Sequence, residues 1–121
     1  MTRDQFVANL KTATLDTAAE SEMRSILNPP GRKPDRRNDD IAAWFRSLTA
    51  EQQQLAIRFA QLTGDSVLFG VLCVLDGVRS IRRSESVGEL QVAWHEDGEA
   101  TILNGDDGEM LHDIFGSLIR K

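Results

Sequence analysis

The stretch Val67-Leu68-Phe69-Gly70-Val71-Leu72-Cys73-Val74-Leu75 is apolar at every position and stops at Asp76. A helix with no polar side belongs in a domain centre or against a partner, because no rotation about its axis leaves it facing water comfortably. A membrane span needs about 20 such residues, so this run predicts a core helix with no bilayer around it. Upstream, Thr49-Ala50-Glu51-Gln52 has the pattern of a capping box, which opens a helix over 50–78. Leu55, Phe59, Leu62, Leu68, Phe69, Leu72 and Leu75 supply its bulk, and Gly64-Asp65 is the place where it would be interrupted. It is expected to be the most buried element, with Phe69, Leu72 and Cys73 in the core. Ser66, Gly70, Cys73 and Gly77 recur at spacings of four, three and four, a stripe of small residues along which another helix can approach closely.

Toward the N-terminus, Phe6, Val7 and Leu10, then Ala18, Ala19, Glu22, Met23, Ile26 and Leu27, continue a one-sided pattern that predicts a helix over 4–27. Thr2 or Asp4 would cap it, and the β-branched and small polar residues from Thr12 to Thr17 favour a bend or break. All three prolines fall in the next segment, 28–37, which is therefore a loop, and Arg32, Lys33, Arg36 and Arg37 make it basic. Asn38 then caps a short helix over 39–48 whose apolar face is Ile41, Trp44, Phe45 and Leu48.

Beyond the central helix the period changes to two. Leu90, Val92 and Trp94 alternate with Gln91, Ala93 and His95, Asp97-Gly98 is a two-residue hairpin signal, and Ala100 to Leu103 return, giving a hairpin over 88–103. This register sets Glu96 against Glu99, a like-charge pair. Asp106-Asp107-Gly108-Glu109 would cap a last helix over 107–119, with Leu111, Ile114, Phe115 and Leu118 inward. Helices segregated from a small antiparallel sheet make the class α+β. A hairpin is marginal alone and is expected to pack on the central helix.

A length of 121 residues suits a single domain over 1–121, and 40% hydrophobic residues suffice for one core. The net charge is −5, which argues against a nucleic-acid binder. The charge is uneven: the first 64 residues are near neutral, and the acidic excess lies in the second half. A single cysteine excludes an internal disulfide, a Cys-based zinc site and an iron–sulfur cluster. The polar, charged first residues have no signal-peptide character, so the expected location is the cytoplasm.

Few residues carry chemistry. Cys73 lies within the apolar run, where burial raises a thiol's pKa and blocks access. His95 and His112, each beside acidic residues, are the candidates for a metal-dependent enzyme, but neither sits in a metal-ligand spacing, so no cofactor is expected. The loop 32–37, with Trp44 nearby, has residue types that contact RNA but no further basic stripe to support it. The larger signal is acidic. Glu96, Asp97, Glu99, Asp106, Asp107 and Glu109 come from adjacent elements and would share one face, with Trp94 or Phe115 as an apolar anchor for a basic protein partner.

From Trp44 onward the pattern is also familiar. Trp44-Phe45 with Ser47-Leu48, the run from Leu68 through Asp76-Gly77-Val78-Arg79, Gly88-Glu89-Leu90, Ile102-Leu103-Asn104 and Leu111-His112-Asp113-Ile114-Phe115 resemble a group of small bacterial proteins of unassigned activity. Such short acidic domains also resemble the immunity proteins that neutralise secreted bacterial toxins. That resemblance implies a non-enzymatic protein whose partner is a toxin. The alternatives are a structural or regulatory homodimer using the small-residue stripe, and the metal-dependent enzyme using His95 and His112.

Overall fold

The computed structural model describes residues 1–81 and 88–120. Helix α1 (Arg3–Thr14) opens on a reciprocal cap: the Thr2 hydroxyl accepts the Gln5 N–H at 3.1 Å, and the Gln5 side chain accepts the Thr2 N–H at 2.9 Å. The chain breaks where propensity is weakest. Leu15 to Thr17 form a turn, and α2 (Ala18–Leu27) follows, so the single helix expected over 4–27 is two. The proline-rich loop leads to α3 (Asp39–Ser47), which turns Ala42 and Phe45 inward and leaves Ile41 and Trp44 partly outside.

Helix α4 (Ala50–Leu75) starts on the expected capping box, with Thr49 and Gln52 exchanging hydrogen bonds at 3.2 and 2.9 Å. It passes through Gly64-Asp65 without interruption and ends three residues before the expected boundary. The stop is a Schellman turn: the Gly77 N–H donates to the Val74 carbonyl and the Val78 N–H to the Cys73 carbonyl, at 3.1 and 3.0 Å. Gly77 holds φ at +78°, a left-handed conformation that a side chain would strain.

Strands β1 (Ala93–Glu96) and β2 (Glu99–Ile102) form the antiparallel hairpin, and α5 (Leu111–Ile119) closes the described chain, giving the α+β class. The core is Val7, Leu15, Leu72, Leu111, Ile114 and Phe115, where α1, α4 and α5 meet; Phe69 packs on it half-buried. On the other side α2 packs against both α3 and α4. The hairpin is not laid flat on α4 as expected. It is held at its base: the Asn104 side chain donates to the Leu75 and Leu90 carbonyls at 2.6 and 2.8 Å and accepts the Val92 N–H at 2.8 Å, while Leu103 is buried.

Two burial expectations are corrected. Helix α4 is central in position, yet only 17% of its most apolar stretch is buried, with Gly70, Leu72 and Cys73 the buried residues. The most enclosed helix is α5, which buries Leu111, Ile114, Phe115 and Gly116. Its cap also differs from expectation. Asp106 to Glu109 precede the helix without capping it, Met110 occupies the cap position, and α5 begins at Leu111. The first N–H groups are instead bonded by Asp76, from the end of α4.

Candidate functional site

Asp97 (φ 52°) and Gly98 (φ 80°) both take left-handed conformations, so the hairpin turn is the primed type whose twist matches the strands. The register places Trp94 opposite Thr101 and Glu96 opposite Glu99. Three carboxylates, Glu96, Asp97 and Glu99, are thereby fixed on one rigid tip, and among the described residues none has a hydrogen-bonding or ionic partner for its side chain. Like charges directly opposite on a strand pair are destabilising by a few tenths of a kcal/mol. Trp94 lies two residues before Glu96, on the same strand face, and is 38% exposed. Both line a cleft of about 360 Å³ with Met1, Gln5 and Asn9 at the start of α1.

The remaining acidic residues sit on the other side of that helix end, and they are not equivalent. Asp106 is exposed. Asp107 is ion-paired with Arg3, whose guanidinium also donates to the Glu109 carbonyl at 3.0 Å. Arg3 is thus embedded in the acidic region and neutralises part of it. The sequence reading missed Arg3 because its partners lie more than a hundred residues away. The expected anchor Phe115 is fully buried in the core and unavailable, which leaves Trp94.

The two histidines are not brought together into a metal centre: among the described residues no group of three or more His, Cys, Asp or Glu is placed to hold a metal ion. His95 is exposed on β1. His112 belongs to the α4–α5 junction, its Nδ1 lying 2.6 Å from the Asp76 carboxylate and its Nε2 3.4 Å from Asp113. Cys73 is a buried free thiol. In the basic loop, Arg37 folds onto Asp35 with contacts of 2.8 to 3.1 Å, and this hydrogen-bonded guanidinium holds the Asp35 carboxyl down to about 2. Arg32, Lys33 and Arg36 remain exposed.

A second surface was not anticipated. Leu55, Phe59 and Leu62 share one exposed side of α4, Phe59 at 74%, and Trp44 of α3 continues it at 52%; Val67 and Val71 are exposed further round the helix. Trp44, Leu55 and Phe59 help to line a groove of about 520 Å³ between α3 and α4. The small-residue stripe itself is largely closed: Cys73 is buried, Gly77 lies beyond the helix end, and the Arg79 guanidinium covers Gly70 so closely that no Cβ would fit. No protein-family model, curated protein or solved structure matches the chain.

Proposed function

We propose that this chain is a non-enzymatic binding protein of the cytoplasm, in the manner of a bacterial immunity protein, that engages a basic surface on a toxin through its hairpin tip. The observation that supports this reading most is the turn carrying Glu96, Asp97 and Glu99, fixed in one geometry with no compensating base among the described residues. An arrangement that costs stability locally is retained where a partner uses it. A rigid acidic tip raises the association rate with a cationic partner, and the neighbouring Trp94 offers an aromatic contact at its rim. Asp106 extends the field, whereas Asp107 is already matched by Arg3 and contributes less.

The test is a photo-crosslinking amino acid at position 97, used in the source cell and followed by mass spectrometry of the adduct. The expected adduct is one basic protein, lost when Glu96 and Glu99 are both changed to Lys, and its isolated form should bind more slowly as salt rises. An adduct that survives the double change, or binding that ignores salt, would remove the hairpin from the interface.

A further inference from the structure

We infer that the exposed face of α4 seats a second copy of this chain, the two α4 helices packing antiparallel about a twofold axis near Leu62. Leu55, Phe59, Leu62 and Ser66 recur at intervals of four, three and four, so they form a single stripe along the helix. Beside it lies a groove of about 440 Å³ lined by Thr63, Ser66, Val67 and Val71 and closed at Gly70 by the Arg79 guanidinium, so its open end is the hollow at Thr63 and Ser66. Phe59, the most exposed large hydrophobic side chain among the described residues, stands on the same stripe one to two turns earlier. A knob and a hollow offset along one helix are self-complementary under a twofold operation, which fills both hollows at once.

Charge chooses the direction. Arg58 and Asp65 lie on the same edge of the stripe, seven residues apart, which is about 10 Å along the axis and too far for them to pair with each other. Among the described residues neither makes an ion pair. An antiparallel second copy sets Arg58 of each chain opposite Asp65 of the other, twice, with Phe59 of each over the hollow near Thr63 and Ser66. A parallel copy matches neither pair. Trp44, Leu55, Phe59 and Leu62 lie on this side of the helix and expose on the order of 450 Å² together. That is the size of the largest apolar patch of a monomer, about 300–600 Å², and the charged rim of the stripe adds to it toward the ~800 Å² that a stable interface takes from each partner. Helix α4 is long and apolar enough to cross a bilayer, but Arg58 and Asp65 would then stand in hydrocarbon, which favours the protein occupant.

The experiment is light scattering coupled to size-exclusion chromatography of the full chain over a range of concentrations. The wild type should run at twice its 13.5 kDa. Phe59→Glu should run as a folded monomer with unchanged helical circular dichroism, since that side chain makes little contact within its own chain. Arg58→Asp and Asp65→Arg should each raise the dimer dissociation constant by about tenfold or more, as two attractions become repulsions. Mixing these two variants should restore a dimer, because each then meets its opposite charge. A wild type that stays monomeric, or that is monomeric and floats with neutral phosphatidylcholine vesicles, would overturn the inference. So would a dimer indifferent to Phe59→Glu or a mixture that fails to rescue. None of these outcomes touches the hairpin, whose own crosslinking test stands apart.

Discussion

Asp76 and His112 are joined twice. The Asp76 carboxylate accepts the backbone N–H of His112 at 2.8 Å and lies 2.6 Å from its ring Nδ1, while its other oxygen takes the N–H of Leu111 at 3.0 Å. The side chain doing this is 2% exposed. One residue at the end of α4 thus supplies the cap that α5 lacks from its own sequence, and fixes the angle between two core helices. A carboxylate at a helix N-terminus also faces the positive end of the macrodipole.

Replacing Asp76 with Ala should therefore cost about 2–3 kcal/mol in urea unfolding, the loss of a buried cap with two orphaned donors. Asp76→Asn should cost less, because one oxygen remains to accept. Amide exchange at Leu111 and His112 should accelerate in the Ala variant. A change under about 0.5 kcal/mol would show that water replaces the carboxylate freely.

The two sides of α4 should respond differently to truncation. Leu72 is fully buried, and Leu72→Ala should cost about 2–5 kcal/mol. Phe59→Ala, measured at concentrations where the chain is monomeric, should stay within about 0.5 kcal/mol. Equal losses at both positions would mean that the outward face is packed in solution.

Glu99→Lys should stabilise the hairpin by about 0.2–1 kcal/mol by placing opposite charges across the Glu96 position. The same change should slow association with the proposed cationic partner. A gain in stability with unaltered association would separate the tip's strain from any binding role.

Cys73 should resist a thiol reagent such as dithionitrobenzoate in the native state and react fully in denaturant, since it is buried among α4's core contacts. Rapid native labelling would show that this end of α4 opens readily.

The helices and the hairpin were legible because their signals are local: the Thr49–Gln52 capping box, a run of prolines, and an Asp-Gly flanked by alternating residues. The Glu96–Glu99 opposition followed from the turn type alone. What escaped were relationships between distant residues. Asp76 capping α5 spans 35 residues, and Arg3 reaching Asp107 spans 104, so no window of sequence contains either. The expectation of a wholly enclosed α4 failed for a different reason. A uniformly apolar helix says that all its sides want cover, but not that the same chain provides it. Among the described residues too few other elements remain once α5 and α2 have taken their sides.

The order in which these contacts close has a consequence for synthesis on the ribosome. Helix α1 packs chiefly on α5, and the carbonyl of Leu75 and the carboxylate of Asp76 wait for Asn104 and for residues 111–112. During translation the first four helices emerge with half of their core unfilled and with the α5 side of α4 bare, a nascent species that should recruit holdase chaperones until α5 arrives. Folding is then a late event, completed only when α5 joins α1 and α4.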